Sequence, residues 1–358
     1  MSEAVVDDVV ALLPPLLQTL ESLGFVTRYL HPPEFGHLMQ LVGTPEHALR
    51  AELPRLGGWP ESFTHLRGPL QSAGEQALAA FATLRAVDAG QGDLGDVFRA
   101  LRHLPQAQEA LYPLAATLPP VSSFFLDPGS QQDEALPARL LQPKHRDSGV
   151  FHRFNDEDSR GGYSLYVPEY YDPDREWPLI MALHGGSGHG RLFLWSWLRD
   201  ARSRGAIVVT PTATGRTWAL MGEDVDSPNL LRILDEVRAH WRIDPSRLLL
   251  TGLSDGGTFC YVSGLTRGSP FTHLAPIAAS FHPLLAAAAD TARLRGLPIG
   301  IVHGRHDWMF PVEVARQAHA ALVSAGADVS YREIADLSHT YPREVNVTLL
   351  DWLKPPAA

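Results

Sequence analysis

A serine, an aspartate and a histidine, far apart along this chain, have the chemistry needed for acyl transfer. The serine is Ser254, with Gly252 two residues before it and Gly256 two residues after it. A serine hydroxyl is a poor nucleophile unless the backbone presents it and a base takes its proton. The apolar run Leu248-Leu249-Leu250 precedes the motif and the helix-compatible segment 258–265 follows it. The spacing therefore predicts a strand, a sharp turn carrying Ser254, and a helix. Such a turn imposes strained backbone angles on the serine and admits only very small residues two positions to either side. An ordinary helix-capping serine would not need a glycine on both sides.

The acid and base follow in sequence. The apolar run 297–302 leads into His303-Gly304-Arg305-His306-Asp307, and a strand-like segment from Val329 to Ile334 leads into Asp336-Leu337-Ser338-His339. Histidine changes charge near neutral pH, so it can take a proton from a serine and return it to a leaving alkoxide. His339 is the expected base, because it follows the last strand. His303 and His306 compete for that role but flank the acid too closely. Asp307 is the expected acid, orienting the imidazole, with Asp336 as its rival. Upstream, the strand-like run 178–183 ends in His184-Gly185-Gly186. Backbone N–H groups there and at Asp255 would bind the oxyanion, and Gly186 and Asp255 are the two expected donors. His184 is expected to buttress that turn.

Together these pieces resemble the serine esterases of the α/β-hydrolase superfamily, in the phospholipase/carboxylesterase or polyhydroxybutyrate-depolymerase-like branch. The segments that carry the resemblance are Gly162-Tyr163-Ser164-Leu165-Tyr166-Val167-Pro168, Leu183-His184-Gly185-Gly186, Ile243-Asp244-Pro245-Ser246-Arg247, Gly252 to Gly257, His303 to Asp307, and Ser338-His339. It spans residues 148 to 353 and implies a metal-free Ser–His–Asp hydrolase with the chain order serine, acid, histidine. It leaves the substrate open.

The elements that must position these residues can be read from the periodicity. Segments 151–154 and 163–167 read as a hairpin. Strands at 178–184, 206–211, 247–253, 273–280, 297–303 and 329–335 alternate with helices at 191–204, 228–241, 255–266, 312–325 and 341–353. That alternation predicts an α/β fold with a mostly parallel central sheet covered by helices on both faces. Ligands of such sheets sit at the carboxyl ends of the strands, where all the candidate residues fall. Ser227-Pro228 reads as a cap followed by proline at the first helical position.

Residues 1–125 differ in character. Apolar residues recur at helical spacing, as in Ala77-Leu78-Ala80-Phe81-Leu84 and Val97-Phe98-Leu101-Leu104. Four to six helices are expected there, followed by a polar connection at 126–147 and the catalytic domain at 148–358. The helical region has no defensible chemical residues; it is a candidate cap, lid or surface for homo-oligomer formation.

The net charge of −10 opposes nonspecific nucleic-acid binding, which depends on neutralising phosphates. The single cysteine, Cys260, rules out an internal disulfide and reads as a small buried residue. The acidic start, Met1 to Asp8, lacks the features of a secretory signal, and no run of some 20 apolar residues predicts a membrane span, so the expected compartment is the cytoplasm. No metal-ligand spacing or phosphate loop is present, so neither metal nor cofactor is expected. Trp218, Phe281, His282 and Trp308 follow strand ends and are the expected substrate-binding residues, with one of Trp195 and Trp197 as a further candidate. The leading expectation is hydrolysis of a small-molecule carboxylic ester through an acyl-enzyme. A serine peptidase on the same fold and a catalytically silent, partner-binding scaffold are the alternatives.

Overall fold

The computed structural model describes residues 3–133, 135–141 and 147–354. Residues 134 and 142–146 of the expected connection, and 355–358 at the end of the expected catalytic domain, lie outside the described residues. The chain divides into two compact units, Met1–Pro137 and Ala138–Ala358.

The first unit is helical, with α1 (Glu3–Tyr29), α2 (Phe35–Val42), α3 (Glu46–Glu52), α4 (Thr64–Asp88), α5 (Leu94–Leu101), α6 (His103–Leu111) and α7 (Pro119–Phe124), with short 3-10 turns after α1, α3 and α6. These seven helices exceed the expected four to six, because short helices carry too few turns to show a period. α1 is centred on a buried stripe, Val5, Val9, Leu12, Leu16, Leu20, Leu23 and Val26, and packs against α2, α3 and α4. It is long and apolar enough to cross a membrane by length and composition, which the sequence reading did not register. The stripe is what the core helix of a helical unit requires. α4 buries Ala77, Ala80, Phe81 and Leu84 as its spacing implies, whereas Phe98 of α5 is exposed. At the start of the expected connection, Leu126 and Asp127 are buried. A short helix, α8 (Ala135–Leu140), spans the boundary between the units.

The second unit is built on eight strands: β1 (Gly149–Arg153), β2 (Tyr163–Val167), β3 (Trp177–Leu183), β4 (Ile207–Pro211), β5 (Ile243–Leu253), β6 (His273–Ile277), β7 (Pro298–Gly304) and β8 (Asp328–Ile334). They form one sheet in the order β1-β2-β4-β3-β5-β6-β7-β8, antiparallel across β1, β2 and β4 and parallel from β4 through β8. Successive side chains of a strand point to opposite faces, so the unbroken burial of β2 and β4 means that both faces are covered. Leu248, Leu249 and Leu250 of β5 are fully buried, each worth roughly 1.5–3 kcal/mol of transfer free energy. Only β8, at the edge, alternates exposed and half-buried residues.

The helices of this unit are α9 (Gly190–Phe193), α10 (Leu198–Arg204), α11 (Asp226–His240), α12 (Asp255–Gly264), α13 (Pro283–Ala288), α14 (Thr291–Leu294), α15 (Val312–Ser324) and α16 (Val345–Trp352). The single helix expected at 191–204 is broken by a 3-10 turn at Leu194–Ser196. α11 begins at Asp226, two residues before the expected start. Asp224 accepts the Ser227 N–H at 2.9 Å and does the capping expected of Ser227.

Register brings the carboxyl ends of the strands into line. Leu183 of β3 pairs with Gly252 of β5, Leu253 with Ile277 of β6, and Gly304 of β7 with Ile334 of β8. The loops that follow these strands therefore emerge at one edge of the sheet.

Candidate active site

Ser254 links β5 directly to α12, with φ 55° and ψ −117°. A non-glycine residue at positive φ is uncommon and costs on the order of 1–3 kcal/mol, which the surroundings must hold in place. Here the Ser254 N–H donates to Ile277 O at 2.9 Å, tying the turn to β6. The flanking glycines are required by contact. A Cβ at Gly252 would lie 2.5 Å from the carbonyl carbon of Gly256, and one at Gly256 would lie 2.5 Å from His184 O. Among the described residues, three other non-glycine residues have positive φ: Ser187 (φ 55°) and Ala278 (φ 47°), which follow β3 and β6, and Phe154 (φ 49°), which follows β1.

Three loops deliver the remaining groups. His339, on the loop after β8, places Nε2 3.0 Å from Ser254 Oγ and Nδ1 2.8 Å from Asp307 Oδ2. Asp307, on the loop after β7, has a fully buried side chain, and its Oδ1 accepts the N–H groups of Met309 and Phe310 at 2.9 and 2.8 Å. The imidazole is flanked by the edge-on rings of Phe310 at 5.3 Å and Trp308 at 6.1 Å. Of the competing residues, Asp336 and His306 are exposed, and His303 is buried at the end of β7.

The turn after β3 faces the same point. Its Gly188 N–H donates to Gly185 O at 3.0 Å. A Cβ at Gly186 would lie 2.6 Å from Asp255 Oδ2, so the two expected oxyanion donors belong to abutting segments. Asp255 opens α12, and its N–H has no intrahelical acceptor by position. Its carboxylate is held by Thr217 Oγ1 at 2.5 Å.

His184 braces this turn from below. Its Nδ1 lies 2.7 Å from Gly185 O and so carries the proton, and its Nε2 accepts the Ala213 N–H at 3.1 Å. Burial pushes its pKa down to about 4. The unfolded chain therefore takes up a proton below about pH 6.5 that the folded chain refuses, and this contribution to stability is lost as the pH falls from there toward 4. Between pH 7.5 and pH 5 the loss comes to about 2 kcal/mol. Replacing His184 with Asn, which retains a donor at the Nδ1 position, should narrow the difference in urea-unfolding free energy between those pH values by that amount. An unchanged difference would contradict the role assigned to this imidazole.

A sheet in this strand order, a serine on the β5–α12 turn, an acid after β7 and a histidine after β8 decide the fold. The second unit has the α/β-hydrolase fold. No protein-family model matches the chain. Among curated proteins, the chain is similar to a probable feruloyl esterase C of Aspergillus terreus, 28% identical over 158 residues, covering 42% of this chain and 56% of that protein. It is also similar to a bifunctional acetylxylan esterase/xylanase of Neocallimastix patriciarum, 28% identical over 194 residues, covering 52% of this chain and 27% of that protein. The chain thus spans about half, or less, of the relatives it matches. Among solved structures, a ferulic acid esterase superposes with a TM-score of 0.49 at 18% identity, covering 57% of this chain and 96% of that one.

The expected substrate-binding residues of the α/β-hydrolase unit separate into two groups. Trp308 is 41% exposed beside His339 and stands at the mouth of the site. Trp218 is instead a correction: it is 2% exposed, donates Nε1–H to His184 O at 2.7 Å and stacks on Phe259, so it supports the Gly185–Gly186 turn from within. Phe281 is buried edge-on against Tyr261, and His282 is exposed and caps α13 through Nδ1 and the Leu284 N–H. Trp195 and Trp197 are both buried, as is Cys260, whose thiol burial pushes well above its usual range. Phe310 and Thr217 join the site without a sequence signal. Neither belongs to a motif, and each matters only through a loop conformation that no periodicity encodes.

Proposed function

We propose that this α/β-hydrolase cleaves carboxylic esters through an acyl-enzyme on Ser254. The observation that carries the reading is the continuous hydrogen-bonded line from Ser254 Oγ through His339 to Asp307, 3.0 and then 2.8 Å. His339 Nε2 takes the hydroxyl proton as Oγ attacks the ester carbonyl. Asp307 holds Nδ1–H and stabilises the imidazolium that forms. The oxyanion of the tetrahedral intermediate is bound by the N–H groups of Gly186 and Asp255. The imidazolium then protonates the departing alkoxide, and water activated by the same imidazole releases the acid. No step calls for a metal or an organic cofactor.

Exposed Trp308 and Met309 give the mouth an apolar rim, which suits an aromatic or short acyl group. The curated relatives named for feruloyl and acetylxylan ester hydrolysis make hydroxycinnamoyl and acetyl esters the first substrates to test. The test is a panel of 4-nitrophenyl acetate, longer 4-nitrophenyl esters, methyl ferulate and peptide anilides. Turnover of esters without cleavage of the anilides is expected. Cleavage of anilides in preference to every ester would transfer the reading to a peptidase.

A further inference from the structure

We propose that His303 is a positioning residue for the acid, a fourth member of the line that runs from Ser254. The inference rests on the esterase reading above. His303 ends β7 and is 0% exposed. Its Nε2 lies 2.8 Å from Phe310 O and 3.3 Å from Asp307 Oδ2. A carbonyl oxygen can only accept, so Nε2 carries the proton. Among the described residues the buried Nδ1 has no hydrogen-bond partner, so the contacts favour the Nε2–H tautomer. An apolar side chain would avoid burying that idle nitrogen. The imidazole is therefore a cost to packing, and its use lies on the Nε2 side.

That side closes the loop around the carboxylate. Phe310 donates its N–H to Asp307 Oδ1, offers its carbonyl to His303, and sets its ring against His339. With the Phe310 carbonyl pinned, both backbone donors stay on Oδ1, and Oδ2 is left to face His339 Nδ1, with His303 Nε2–H as its second neighbour. Losing the pin frees Asp307 to rotate and Phe310 to leave the imidazole, and both changes act on the acid and base rather than on the oxyanion turn after β3. The effect therefore falls on kcat rather than on KM.

Two variants of the full chain test this with 4-nitrophenyl acetate. His303→Phe fills the volume without a donor, whereas His303→Gln places an amide N–H near the position of Nε2. We expect the Phe variant to lose about 10- to 100-fold in kcat with KM changed less than about threefold, the size of effect seen when a partner that orients a metal-ligating histidine or carboxylate is removed. The Gln variant should recover to within about fivefold of the parent. Equal kcat in the two variants, whether parental or reduced, overturns the proposal. Should the Phe variant fail to fold, the parent decides by long-range proton–nitrogen NMR of labelled histidine, with the His303 signals assigned by their loss in the Gln variant. A neutral Nε2–H ring supports the proposal, and an Nδ1–H or doubly protonated ring overturns it. This spectrum needs no turnover. A parent that hydrolyses no ester would end the esterase reading, whereas the wrong tautomer would end this one.

Discussion

Replacing Ser254 with alanine is expected to lower ester turnover by about 10⁵-fold or more, as loss of the nucleophile does in other serine hydrolases. The fold should survive. The hydroxyl's hydrogen bond goes to His339 Nε2, and the turn is held by the Ser254 N–H to Ile277 O and by the close approach of Gly252 and Gly256. Alanine meets the same positive φ that serine already occupies, so backbone strain is unchanged. Steady-state rates with 4-nitrophenyl acetate and thermal unfolding of both proteins check this together. A variant that keeps more than about a tenth of parental kcat contradicts a covalent role for Ser254.

The second large effect is expected from Asp307→Asn, on the order of 10⁴-fold in kcat. Its origin lies in the donors around the carboxylate. Met309 and Phe310 both present N–H groups to Oδ1, and an amide nitrogen cannot accept them, so the asparagine oxygen must stay there. The amide NH2 then faces His339, where a carboxylate oxygen had accepted Nδ1–H. His339 answers by moving its proton to Nε2, the atom that must receive the Ser254 proton, and the base is blocked. Asp336→Asn serves as the comparison, since Asp336 is exposed on the loop before His339. Near-parental kcat is expected of it, and a larger loss there than at Asp307 would reverse the assignment of the acid.

The strand ends were legible in the sequence because parallel β-strands buried on both faces read as apolar runs, and each run here stops where a polar or glycine-bearing loop begins. Ser254 and His184-Gly185-Gly186 could be read directly, since a tight turn demands glycine and glycine is visible. Asp307 and His339 were reached by order along the chain. What stayed hidden depends on how loops fold back. Trp218 follows a strand end as Trp308 does, yet one turns inward to His184 O and the other outward beside His339. The burial of His303 and the contacts of Phe310 follow from the path of residues 304–310, where hydrophobic periodicity is silent. The extra helices of the first unit escaped for a related reason, since a six- to nine-residue helix shows barely two turns of pattern.

The central claim is that His339 and Asp307 activate Ser254 as a nucleophile toward acyl and phosphonyl centres. Intact-mass analysis after treatment with a fluorophosphonate probe tests it most directly. One probe should add per chain, peptide mapping should place it on Ser254, and His339→Ala should slow the labelling by several orders of magnitude. An unlabelled parent, or an adduct on any other residue, would contradict the account.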